Sequence, residues 1–245
     1  MCTFIKDLPD NIQNCESGRF NLNFLYKENF VYIMDNHLAA GWCWLNELNQ
    51  EEQYNFIHID HHGDLQCWGL DSVLDFFGHH PNPTLEEYCN ESYQWFNHAL
   101  NVHENWKLFG YSNYIKLIHR YRPNWFCECY FSTGQEEQDR SMNIVENINS
   151  QDLSRRISEL LNNHNRQWIV NFDLDFFYDN DGDPEIIEIN REYLHDILQA
   201  IANHRGNIAV LTIAMSPECC GGWNNAIHLL EQANNYFHLH FPMAF

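Results

Sequence analysis

The sequence predicts an α/β protein built on a mostly parallel sheet covered on both faces. Three observations predict it. Mostly apolar runs such as Trp168–Leu174 and Ile208–Ala214 read as strands buried on both sides. Amphipathic stripes at helical spacing alternate with those runs. Several of the best strands run out into Asp and His, at the carboxyl ends where such sheets build their sites.

The elements follow in order. Phe20–Tyr26 and Phe30–Met34 read as strands around a Lys-Glu-Asn turn, and Tyr54–Ile59 as a third strand. Thr84–Leu100 reads as a helix, opened by the Pro81-Asn82-Pro83 breaker and a Thr84-x-x-Glu87 capping box. Ser112–Tyr121 is a second helix, ended by Pro123, and Trp125–Ser132 is a strand. Gln135 to Arg140 is polar and reads as a surface loop. Leu153, Ile157, Leu160 and Leu161 form a helical stripe before the buried strand Trp168–Leu174. A second stripe, Tyr193, Leu194, Ile197, Leu198 and Ile201, precedes the strand Ile208–Ala214. Trp223, Ala226, Ile227, Leu230 and Ala233 mark a last helix. With no repeat or Gly/Ser linker, residues 1–245 read as a single domain.

The chain carries 13 Lys and Arg against 34 Asp and Glu, a formal charge of −21. Such a surface repels phosphate backbones and anionic lipid, so nucleic acid and membrane are not the expected partners, whereas a cationic substrate is attracted. The longest apolar runs, Leu38–Leu45 and Ile208–Met215, are too short to span a bilayer. The first fifteen residues show no apolar signal core, which predicts a cytoplasmic protein. Nine Cys with no CxxC pair fit free thiols in a reducing compartment.

Three strand ends carry chemistry. The first runs into Asp35-Asn36-His37, the second into Asp60-His61-His62-Gly63-Asp64, and the third into Asp173-Leu174-Asp175. Read as extended chain, the period of two puts Asp60, His62 and Asp64 on one side, and Asp173 and Asp175 likewise. Burying so many charged groups unpaired costs several kcal/mol each, and basic residues are scarce. A cation resolves the conflict. Four carboxylates with imidazole suit a hard to borderline ion such as manganese, less so zinc, and the donor count suits two ions about 3.5–4 Å apart.

These segments resemble the arginase (ureohydrolase) family. Asp60-His61-His62-Gly63-Asp64 is similar to its DxHxD motif, Asp173-Leu174-Asp175 to its DxD motif, and His37 to the isolated His ligand before both. The likeness is closest to the small branch that includes peptide arginases, which convert arginine residues of ribosomally made precursor peptides into ornithine. It runs from about His37 to Glu218, with similarity confined to the motif segments. The resemblance implies a three-layer α/β/α sandwich and two Mn2+ per chain held by His37, Asp60, His62, Asp64, Asp173 and Asp175. His61 stands as the variable residue between ligands. Glu218, after the last core strand, matches the carboxylate that grips the guanidinium. His80, with His79 as its rival, falls where the family places a proton-shuttling His, and Asp64 takes the proton of the attacking hydroxide.

Two departures bear on substrate. The Asp-Pro that follows DxD in arginases is displaced or missing around Tyr178 and Asp179. The Asn and Ser that hold the backbone groups of free arginine are replaced by Leu65-Gln66-Cys67-Trp68-Gly69, which is compatible with a peptidyl side chain. The expected partner is therefore an arginine-containing precursor peptide, with urea as co-product, and a homo-oligomer is left open. A free guanidino compound, a zinc deacetylase of the same superfamily, and a non-catalytic metal scaffold remain as alternatives. Asp179-Asn180-Asp181-Gly182-Asp183-Pro184 reads as an acidic surface turn, since its Gly is misplaced for a calcium loop. Trp42, Trp44 and Trp68 read as core before groove.

Overall fold

A computed structural model describes residues 2–97, 99–163, 165–178 and 191–243. The acidic turn at 179–184 lies outside the described residues. The chain forms β1 (Cys2–Lys6), β2 (Leu25–Glu28), β3 (Val31–Met34), α1 (Ala40–Glu47), β4 (Tyr54–Ile59), α2 (Val73–His79) and α3 (Leu85–Asn90). There follow β5 (Ser92–Asn97), β6 (Val102–Lys107), α4 (Tyr114–Tyr121), β7 (Phe126–Ser132), β8 (Ile144–Asn147) and α5 (Leu153–Leu161). The last elements are β9 (Trp168–Asp173), α6 (Arg191–Asn203), β10 (Ile208–Ala214) and α7 (Trp223–Phe237).

Eight strands make one sheet in the order β1-β2-β3-β10-β9-β4-β7-β8. The pairings from β3 to β8 are parallel, and only the β1-β2-β3 edge is antiparallel. The expected mostly parallel sheet is present, and the reason is visible in its strands. Every residue of β3, β4 and β9 is buried, as required when helices cover both faces.

Alternate residues feed two separate cores. On β4 and β9, Phe56 and Ile169 join one cluster, with Trp44 of α1 and Ile115 and Ile118 of α4. Ile57, Ile59, Val170 and Phe172 join the other, with Leu160, Ile197 and Leu230 of α5, α6 and α7. This layering fits an α/β sandwich. Trp42 and Trp44 lie in the first core, as expected. Gly41 lets α1 approach α4, since a Cβ there would lie 2.6 Å from Ile118 and 2.7 Å from the Tyr88 hydroxyl.

Four sequence expectations need correction. The predicted strand Phe20–Tyr26 begins only at Leu25, and the hairpin turns at Asn29-Phe30, with Asn29 left-handed at φ 55°. Residues before Leu25 bind the Asp35 side chain instead of a neighbouring strand. The predicted helix Thr84–Leu100 forms its capping box but stops at Asn90. Beyond it Ser92–Asn97 pairs with Val102–Lys107, and the rings of Trp95 and Trp106 lie 4.9 Å apart. Aromatic cross-strand packing outweighs the helical pattern there. The strand expected to reach Leu174 gives way to a 3-10 turn at Leu174–Phe177. Fourth, Asp60, His62 and Asp64 do not lie on extended chain, because β4 ends at Ile59.

Among the described residues no helix is long and apolar enough to cross a membrane. All nine cysteines are free.

Candidate metal centre

The carboxyl ends of β3, β10, β9 and β4, four adjacent strands, meet at one end of the sheet. Parallel alignment brings there the residues that follow each strand, however far apart in sequence. Asp60 and Asp173 then use the same local device. The Asp60 carboxylate accepts the His62 amide at 2.6 Å, and that of Asp173 accepts the Asp175 amide at 2.9 Å. Each is an Asx turn that bends the chain back, so that i and i+2 side chains meet over the strand end. Asp64 is left-handed at φ 52°, a conformation that Asp tolerates better than most residues. Gly63 has the Glu137 carboxylate against it, within 2.5 Å of where a Cβ would stand, so a side chain there would displace it.

All six predicted ligands come together. His37 Nδ1 lies 3.3 Å from Asp60, 3.3 Å from Asp64 and 3.4 Å from Asp173. His62 Nδ1 lies 3.1 Å from Asp175 and 3.5 Å from Asp60. Among the described residues, three groups could hold a metal ion: His62 with Asp175 and Cys219, His37 with Asp60 and Asp173, and His58 with Asp60 and Asp64. His62 is half exposed, whereas His37 and the four aspartates are buried.

The electrostatics fit a cation. The ion pairs recorded for the four aspartates are all to imidazoles. Burial, then repulsion from Asp175 and Asp64, pushes Asp60 up to about 7. Burial, then Asp175 and Asp60, raises Asp173 well above the carboxylate range. Burial opposes the charge on His37, but Asp173, Asp60 and Asp64 together raise it. His37 Nε2 is buried without a hydrogen-bond partner among the described residues. A divalent cation is the partner that offsets such crowding of buried oxygens.

A polar network supports the floor from below. Asn171 Nδ2 donates to His58 Nδ1 at 2.7 Å, so the His58 proton sits on Nε2, which faces the His62 carbonyl at 3.0 Å and Asp60 at 3.4 Å. Burial, reinforced by nearby His37, keeps His58 neutral. The Thr212 hydroxyl donates to Asn171 Oδ1 at 2.7 Å, which fixes the amide orientation. The sequence reading missed His58, although His58-x-Asp60-x-His62-x-Asp64 extends its own period by one step. Asn171 and Thr212 carry no such signal, since only sheet register places them side by side.

Above the floor lies a cavity of about 980 Å³. Glu218 lines it, and the Ser17 amide donates to its carboxylate. Ser216, left-handed at φ 41°, donates to Asp173 at 2.5 Å. Part of the cavity wall, Glu16 to Arg19 and Tyr111, comes from loops the sequence left unassigned. The 135–140 segment is a loop as expected, but Glu137 is buried in the wall instead of standing on the surface. His80 and His79 do not reach the cavity. His80 closes α2, lies over the Phe76 ring and pairs with Glu87 at 3.3 Å. His79 Nδ1 faces the Asp75 carbonyl at 2.8 Å. His61 lines the cavity instead. Comparison with family models, curated proteins and solved structures finds no match to this chain.

Proposed function

We propose that the protein is an arginase-like hydrolase of guanidino groups, acting on arginine residues of a precursor peptide to give ornithine residues and urea. One observation carries this reading: two imidazoles and four carboxylates from three separate strand ends converge beneath a cavity that contains Glu218. The donor set favours manganese, and six donors suit two ions, held by His37, Asp60, His62, Asp64, Asp173 and Asp175. When bound, such a pair supplies Lewis acidity that lowers the pKa of water from 15.7 toward about 7.

The chain's own residues supply the rest. Glu218, held in place by the Ser17 amide, pairs with the guanidinium and orients its carbon toward the floor. Water adds to that carbon, and the bond from carbon to the side-chain nitrogen breaks. Asp64 holds the proton released by the water and hands it to the leaving amine. His80 takes no part in this scheme, because it is turned toward Glu87. A cavity near the upper end of ligand-site volumes, walled partly by Leu65, Gln66 and Cys67, supports a peptidyl substrate over a free amino acid.

Incubation with manganese and an arginine-containing precursor peptide should remove one CH2N2 unit per processed arginine, with matching urea, read by intact mass and colorimetric assay. Unchanged mass would refute the reading. Cys219 beside His62 and Asp175 supports a second reading, a single-zinc hydrolase, because thiolate and imidazole favour zinc. Two manganese ions per chain after reconstitution argue for the first reading, and one zinc for the second.

A further inference from the structure

The cavity wall contains an arrangement that the proposed chemistry leaves unused. Eight carboxylates line the cavity, and Arg19 is the one Lys or Arg among the described lining residues. A cation at that wall gains nothing from a guanidinium substrate and repels it. Yet Arg19 is held there. Its guanidinium carbon lies 5.3 Å from the centre of the Trp68 ring and 5.8 Å from that of Tyr111. Both distances are within cation–π range, so the side chain is steered before any ligand arrives. Its backbone is fixed too, since the Arg19 carbonyl accepts the Tyr111 amide at 3.2 Å. The stem packs so closely on Gly110 that a Cβ there would lie 3.2 Å from Arg19 Cγ and 3.3 Å from Trp68.

The segment bearing Arg19 is also tied to the catalytic end of the cavity. Ser17, two residues earlier, donates its amide to Glu218 and its hydroxyl to Asp35 at 2.9 Å. Asp35 further accepts the Asn23 amide and side chain, each at 2.8 Å. One loop therefore positions both the carboxylate that takes the substrate cation and the cation two residues on. Among the described residues no carboxylate forms an ion pair with Arg19, although Glu16 stands in the same loop.

We propose that Arg19 is a specificity-determining residue that binds a carboxylate of the substrate, so that the cavity selects molecules carrying an anionic group beside the guanidinium. A planar fork held by aromatic rings matches a carboxylate in bidentate geometry. That carboxylate belongs either to the arginine's own terminal carboxyl or to an acidic side chain next to it in a peptide. The inference rests on the guanidino-hydrolase reading for the nature of the substrate, and its test separates the two.

The test uses manganese-loaded protein and two pairs of peptides. The first pair ends in arginine, as free acid or as amide. The second holds an internal arginine followed by Asp or by Asn. Binding is measured by calorimetry and turnover by urea release. One member of a pair, the acid, should bind about tenfold more tightly and show a correspondingly lower KM at similar kcat. Arg19→Gln should abolish that preference, and Arg19→Lys should restore part of it. Preference within the first pair assigns the terminal carboxyl, and within the second the neighbouring side chain. Equal binding within both pairs, or a preference that survives in Arg19→Gln, overturns the proposal. Absent turnover with an Arg19-dependent binding preference refutes the hydrolase reading and leaves the carboxylate site standing.

Discussion

The floor and the rim of the cavity are built on opposite principles. The floor is made by residues at or just past strand ends, all but His62 buried, and aimed by turns at Asp60 and Asp173. The rim is made by long loops, 15–23 and 133–139, whose shape depends on side chains reaching back to them. Asp35 gathers the first loop, and Asn147 holds the backbone of Glu137 in the second through bonds of 2.9 and 3.0 Å. The difference teaches where chemistry and selectivity can vary. Floor residues are fixed by the sheet, whereas rim residues can change without disturbing it; in the proposed scheme the first serve the reaction and the second the choice of substrate.

Breaking the floor has the largest expected effect. Asp173→Ala should eliminate binding of at least one divalent ion, measured by elemental analysis after reconstitution, and lower turnover on the order of a thousandfold. Full metal content in that variant would remove Asp173 from the ligand set. The support beneath the floor comes next. Asn171→Leu leaves His58 Nδ1 without its donor, and its expected cost is about 10–100-fold in metal affinity by calorimetric titration. An unchanged affinity would show that His58 needs no help to position Asp60.

The rim gives the smallest effect and a pH signature. Burial by itself raises a carboxyl, but Lys116 at 2.5 Å and Ser141 hold Asp139 down to about 2. A depressed carboxyl stabilises the folded state above its unfolded pKa and loses that contribution as pH falls through the folded value. Asp139→Asn should therefore cost about 2 kcal/mol at pH 7, and the difference from wild type should vanish as pH drops from about 4 to about 2. Denaturant unfolding across that range measures it. A difference constant with pH would mean that the Lys116 pairing does not anchor this loop.

How much could be read beforehand follows from the range of each interaction. The strands Tyr54–Ile59 and Ile208–Ala214 were legible because double-sided burial leaves a mostly apolar run, broken only by Asn55, His58 and Thr212. The candidate ligands His37, Asp60, His62, Asp64, Asp173 and Asp175 stood out because buried charge is costly and therefore conspicuous. Arg19 and Glu137 gave no such signal, since a polar residue in a polar loop is ordinary until the loop folds over something. His80 shows the opposite error. Its position after DxHxD suggested a shuttle, but the helix ending at His79 turns it toward Glu87. Residues 92–97 were misread as helix because the partner strand that decides their state lies downstream of them.

The sequence by itself determined the parallel core and the presence of a cluster of oxygen and nitrogen donors at strand ends, because burial and charge act within a few residues. Tertiary structure alone decided that Asn171 and Thr212 hold His58 and that Arg19 faces an acidic cavity. Those placements depend on strand order and loop closure, which join residues too far apart in the chain for any local pattern to record.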